Sequence, residues 1–135
     1  MHSHVEKIRV RYGETDQMGY VYYGNYALYY EVGRVELLRS LGITYADLER
    51  QGIGLPVLLF NIKYVKPARY DDLLSLKTTL IEMPSSRITF EYECRDVNDY
   101  VLNIGTVTLA FIDIKLGKPI RCPENLERIL KGFFP

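Results

Sequence analysis

The chain has 135 residues, 47% hydrophobic and 25% charged, a make-up expected of one globular domain, residues 1–135, with a substantial core. Its 17 Lys and Arg offset its 17 Asp and Glu, which argues against nucleic-acid binding, a function that calls for a basic excess. No run is long and apolar enough to span a bilayer and no apolar signal core opens the chain, so the expectation is a cytoplasmic protein without membrane insertion.

Residues 5–12 alternate, with Ile8, Val10 and Tyr12 on one side and Lys7, Arg9 and Arg11 on the other, which predicts a half-buried strand. His2 and His4 precede it in a terminus expected to fray. A loop then runs from Glu14 through Asp16 and Gly19 to Asn25. Asn25 is the expected N-cap of a helix over 26–41, and Gly42 its C′ residue. Apolar side chains circle this helix nearly completely, so burial on all sides is expected. Gly33 in its middle costs about 1 kcal/mol relative to Ala and implies close approach of a strand or ring.

Thr44 to Asp47 reads as a capping box opening a short helix that ends at Gly52. Strands follow at 58–65, running up to Pro67, and at 73–81 and 88–95, each bounded by proline or turn residues, with Asn98-Asp99 as a hairpin turn. Residues 100–114 form a longer β-branched strand with Gly105 as an expected bulge. Pro123 starts a last helix ending near Gly132. The order predicts an α+β fold, with an antiparallel sheet of about five strands against one long helix. Such a sheet leaves edges uncovered, for which dimerisation is the usual remedy.

The only histidines, His2 and His4, lie outside the ordered part of this reading, which argues against Ser-His-Asp or Cys-His chemistry. Cys94 and Cys122 belong to no CxxC pair, no metal-ligand cluster stands out, and no dinucleotide or Walker pattern is present. Carboxylates, hydroxyls, backbone amides and water remain, with no cofactor and no metal. Asp16 lies in a turn beside a helix start, where unpaired N–H groups could polarise a carbonyl. It is either a general base there or a turn aspartate bonded to its own backbone. Gly19 permits an unusual backbone conformation, Gly24 permits close approach of a ligand, and Tyr20, Tyr22, Tyr23 and Tyr26 offer an aromatic wall. Glu31 on the helix is a second carboxylate, for which an i,i+3 ion pair with Arg34 or a bond to strand backbone is the simpler expectation.

The string Asp16-x-x-Gly19-x-Val21-Tyr22-Tyr23-x-Asn25-Tyr26, followed by Tyr30-Glu31-x-x-Arg34, resembles the signature of hotdog-fold acyl-CoA thioesterases. The branch it resembles most is that of 4-hydroxybenzoyl-CoA thioesterase and the Tol–Pal-associated thioesterase. Residues 64–72 resemble the family's entry to its third strand. The resemblance implies a sheet wrapped around one long buried helix, a homodimer or homotetramer, and hydrolysis of an acyl-CoA to free acid and CoA. It implies Asp16 as the catalytic carboxylate, acting on water or directly on the thioester, with the Tyr23 amide, joined by Gly24, as oxyanion donor. Tyr23 stands where members acting on short aliphatic acyl groups often have His, which leans towards an aromatic or bulkier acyl group. Met18, Gly19 and Tyr26 are the acyl-side candidates. Lys66, Arg69, Ser86 and Arg87 are the candidates for the CoA end. The competing expectations are a hotdog protein that binds acyl thioesters or a partner without turnover, and a dehydratase, which would normally need a histidine.

Overall fold

Period-two burial organises most of the chain. Along one strand Ile88, Phe90, Tyr92 and Cys94 are buried while the residues between them face outward, and the same pattern recurs in its neighbours. In the computed structural model, which describes all residues Met1–Pro135, the elements are β1 (His2–Arg9), α1 (Asn25–Ser40), α2 (Tyr45–Arg50), β2 (Ile53–Gly54), β3 (Val57–Tyr64), β4 (Leu73–Leu80), β5 (Arg87–Arg95), β6 (Val101–Ala110), β7 (Ile112–Asp113), β8 (Lys118–Pro119) and α3 (Glu124–Leu130). Single 3-10 turns occupy Tyr12–Glu14 and Lys131–Phe133. The main sheet is antiparallel in the order β1-β4-β5-β6-β3, and β2, β7 and β8 form a small second sheet.

The helix α1 packs on the inner face of the main sheet, against β1 and β4. Two glycines set its distance. A Cβ on Gly33 would collide with the Thr78 hydroxyl and the Leu76 side chain, as the sequence predicts for a close strand. A Cβ on Gly105 would lie 2.5 Å from the Asn61 carbonyl oxygen and 2.8 Å from the Tyr30 ring. Gly105 is therefore not the expected bulge; it pairs regularly with Ile62 and Tyr92, and the β5–β6 register slips instead between Cys94 and Arg95. In the space this leaves, Tyr30 stacks on Tyr92 at 4.0 Å and 7° and donates to Asn103 Oδ1 at 2.6 Å.

The C-terminal end of α1 follows expectation. Gly42 has φ +87, its N–H donates to the Arg39 carbonyl at 2.9 Å, and Ile43 N–H donates to the Leu38 carbonyl at 3.0 Å. This is a complete Schellman closure. The Thr44 hydroxyl caps α2 by accepting from Asp47 N–H at 3.1 Å.

Other boundaries move. The first strand runs from His2 to Arg9, and the residues that follow bend into the 3-10 turn. His2 and His4 are not frayed, because they pair with Leu80 and Thr78. Asn25 is not the N-cap; it is the first residue of α1, and its side chain donates to the Glu14 carbonyl at 2.8 Å. The helix is buried on one face only, with Leu28 56% and Val32 42% exposed, since the sheet covers just one side. Residues 100–114 do not form one strand: β6 ends at Ala110, and β7 joins the small sheet. Glu31 is exposed and makes no ion pair with Arg34, which turns inward and donates from Nε to the Tyr45 hydroxyl at 3.0 Å.

Candidate active site

The Asp16 loop is held by its own backbone. Asp16 N–H donates to the Tyr20 carbonyl at 2.8 Å and Gly19 N–H to the Asp16 carbonyl at 3.0 Å. Gly19 sits at φ +80, where only glycine is unstrained, so the reading of Gly19 from sequence stands. Asp16 Oδ1 accepts from Met18 N–H at 2.9 Å and Tyr20 N–H at 3.2 Å. One carboxylate oxygen thus braces the turn, in the manner of a turn aspartate. The other, Oδ2, accepts no hydrogen bond from the protein.

A second segment is drawn alongside. Thr15 bridges to Val21, Tyr20 bridges to Arg69, and Val21 N–H donates to the Ala68 carbonyl at 2.8 Å. These bonds bring residues 64–67 next to the loop. The result is a cleft of about 320 Å³ lined by Asp16, Met18, Tyr20, Val21, Tyr23, Tyr26, Tyr64, Val65, Lys66 and Pro67.

The helix start forms the third side. Gly24 occupies the N-cap position without a side-chain cap. The backbone N–H groups of Tyr23 and Gly24 donate to no protein acceptor. They leave the positive end of α1 open beside the cleft, which Tyr23 lines. A Cβ on Gly24 would sit 3.0 Å from the Tyr22 ring, so the space this glycine leaves is taken first by Tyr22 rather than by a ligand.

Asp16, Met18, Tyr23, Tyr26 and Lys66 therefore share one cleft, with Gly19 and Gly24 in the turns that shape it. Tyr22 leaves the expected wall and tilts against Tyr23. Tyr64, which residue-level reading of the loop missed, takes its place: its hydroxyl donates to the Tyr23 carbonyl at 3.3 Å and its ring meets those of Tyr23 and Tyr26. Burial pushes the Tyr26 hydroxyl up to about 12, so this ring stays neutral. The Lys66 ammonium lies 4.7 Å from the centre of the Tyr100 ring. Arg69 stands behind the wall, its guanidinium 4.8 Å from the Tyr20 ring centre. Ser86 and Arg87 do not line this cleft. Arg87 opens β5 opposite Ala110, at the end of the sheet where β3 begins, whereas the cleft lies where β3 ends.

A larger groove of about 620 Å³ crosses the outer face of the sheet, with Lys77, Glu91, Glu93 and Lys63 on its walls. It has neither a helix terminus nor free backbone N–H groups beside a carboxylate. The Asp16 cleft is the better candidate.

An antiparallel sheet packed on one helix, with a carboxylate and the residue before that helix's uncapped start lining one cleft, defines an α+β protein. Residues 10–130 match the thioesterase-like superfamily. YneP of Bacillus subtilis is 35% identical over 121 residues, covering 90% of this chain and 88% of that protein. The acyl-CoA thioesterase YbgC of Haemophilus influenzae is 34% identical over 121 residues, covering 89% and 88%. The crystal structure of a DHNA-CoA thioesterase from Staphylococcus aureus superposes with a TM-score of 0.94 at 32% identity, covering 98% of this chain and 91% of that one. The chain belongs to the thioesterase-like superfamily, and it is a thioester hydrolase.

Proposed function

We propose that the Asp16 cleft hydrolyses an acyl-CoA to the free acid and CoA. The observation that carries this is one cleft lined by both Asp16, whose Oδ2 is free, and Tyr23, whose N–H, like that of the adjacent Gly24, has no protein acceptor. The N–H groups stabilise the oxyanion formed at the thioester carbon. Asp16 Oδ2 takes a proton from the attacking water, or attacks the carbon itself and is released by water in a second step. Either way a C–O bond forms, the C–S bond breaks, and the thiolate of CoA leaves and is protonated. A thiolate is a good leaving group, so no strong general acid is required. The reaction uses no cofactor beyond the CoA that the substrate carries.

Tyr20, Tyr23, Tyr26 and Tyr64 give the cleft a rim of rings that suits edge-to-face packing on an aromatic acyl group. Lys66, next to this rim, is placed for the phosphates of CoA, and Arg69 adds charge behind it. The fold supports a hotdog homodimer in which the sheet curls around α1, and residues 1–135 act as one domain. The outer strand β3 exposes Val57, Leu58, Leu59 and Phe60 in succession. Pairing β3 antiparallel with its copy would carry the partner's sheet past the cleft. The partner's β5, with its own Ser86 and Arg87, would then stand about 15 Å away, three strand spacings across, within reach of an extended CoA. A tetramer would join two such dimers. Two buried, unpaired thiols, Cys94 and Cys122, fit a reducing cytoplasm.

The test is turnover of an acyl-CoA panel that includes DHNA-CoA, benzoyl-CoA and straight-chain acyl-CoAs, by wild type and Asp16→Asn. Wild-type turnover lost in the variant supports the reading. Equal rates overturn the role of Asp16, and no wild-type turnover on any member favours an acyl-binding protein without catalysis.

A further inference from the structure

Glu14 closes the 3-10 turn two residues before Asp16 and ties four segments together. Its backbone carbonyl accepts from Tyr22 N–H at 2.9 Å and from Asn25 Nδ2 at 2.8 Å. Its carboxylate Oε1 accepts from Arg11 N–H at 2.8 Å and from the Tyr29 hydroxyl at 2.9 Å. Its Oε2 accepts from the Arg11 guanidinium at 3.3 Å and 3.4 Å. Asn25 and Tyr29 are i,i+4 on α1, so both face the loop from the same side of the helix.

Capping the 3-10 turn would account for the Arg11 bonds alone. It leaves the two bonds to α1 unexplained. The Glu14 side chain is only 15% exposed, unlike an ordinary surface ion pair. Burial works against its charge, yet the bonds from Arg11 N–H, Tyr29 and the Arg11 guanidinium outweigh burial and hold its carboxyl below the usual value. Glu14 is therefore a charged, well-satisfied junction between the carboxylate loop and the helix whose first N–H groups are free.

We propose that Glu14 is a positioning residue that fixes the separation between Asp16 and the free N–H groups of Tyr23 and Gly24. This rests on the hydrolytic reading above. Glu14 joins both segments twice: its backbone carbonyl holds Tyr22 and Asn25 at the helix start, and its carboxylate ties Tyr29, one turn further along α1, to Arg11 before the loop. Without the carboxylate the bonds to the Glu14 carbonyl remain but the tie between Tyr29 and Arg11 is lost, so the helix can shift against the loop, and a misplacement of about 1 Å costs on the order of 10²-fold in rate.

The test is steady-state kinetics on the best acyl-CoA of the panel. Glu14→Ala should lower kcat by about 10²-fold with KM within about twofold. Glu14→Gln keeps an oxygen that accepts from Arg11 N–H and Tyr29, and should recover kcat to within about fivefold of wild type. On an Asp16→Asn background, Glu14→Ala should lower kcat no further, because the positioned group is already gone. Wild-type kcat in a folded Glu14→Ala, or the same fold loss with and without Asp16, overturns the proposal. Should Glu14→Ala fail to fold, Tyr29→Phe decides: lower kcat at constant KM supports it, and unchanged kcat overturns it. If Asp16→Asn itself turns over like wild type, the hydrolytic reading fails first. If Asp16→Asn is inactive while the Glu14 variants are not, only the positioning role fails.

Discussion

The two ends of α1 are finished in opposite ways. At the C-terminal end every available device is used: Gly42 at φ +87 and the paired bonds to Arg39 and Leu38 close the helix on itself. At the N-terminal end Gly24 provides no side-chain cap, and Asn25, a residue well suited to capping, bonds to Glu14 instead. An uncapped terminus forgoes about 1 kcal/mol, yet it keeps N–H groups free beside a carboxylate. The closed end satisfies its own groups, and the open end leaves its donors free.

That contrast can be broken by substitution. The largest expected effect is at the open end. Asp16→Asn keeps the Oδ1 bonds to Met18 and Tyr20 but loses the free carboxylate oxygen, and should lower kcat by about 10²- to 10⁴-fold with thermal unfolding little changed. Gly24→Pro comes next. Gly24 has φ −66, a value proline accepts, so the substitution removes one N–H without unwinding the helix. A loss of about 10²-fold in kcat is expected, measured on the same substrate. At the closed end Gly42→Ala should do the reverse. Ala resists the left-handed conformation by about 1–2 kcal/mol, so the unfolding midpoint should fall while kcat at 25 °C stays at the wild-type value. A loss of kcat there would erase the distinction between the two ends.

The smallest effect concerns acid. Glu14's folded carboxyl titrates below its ordinary value of 4.5. The stability this contributes is fully present above pH 4.5 and is lost as pH falls through the lower folded value. Thermal unfolding of Glu14→Gln should therefore depend less on pH than wild type as pH falls below 4.5. An identical slope would mean that Glu14 is not charged at its junction.

Much of this was legible because it is local. Asp16, Met18, Gly19, Tyr23 and Tyr26 are close in sequence, and a single turn followed by a helix suffices to gather them. The strands β4 and β5 announce themselves by alternation and by flanking proline and turn residues. What escaped depends on distant partners. Asn25 looks like a cap until the Glu14 carbonyl is seen to claim it. Tyr64 enters the cleft only through the bridges that draw residues 68–69 to the loop. Ser86 and Arg87 were grouped with Lys66 by resemblance, but the antiparallel order sends the start of β5 to the other end of the sheet. The histidines of β1 are ordered because β4 offers them a partner strand, which the terminus itself does not reveal.

The run Val57-Leu58-Leu59-Phe60 on the outer strand has a consequence for the chain in concentrated solution. It has no charge and no proline, and one side of its backbone is unpaired. Such a segment is a template for aggregation as readily as for assembly. Chains brought to high concentration would meet first along this edge.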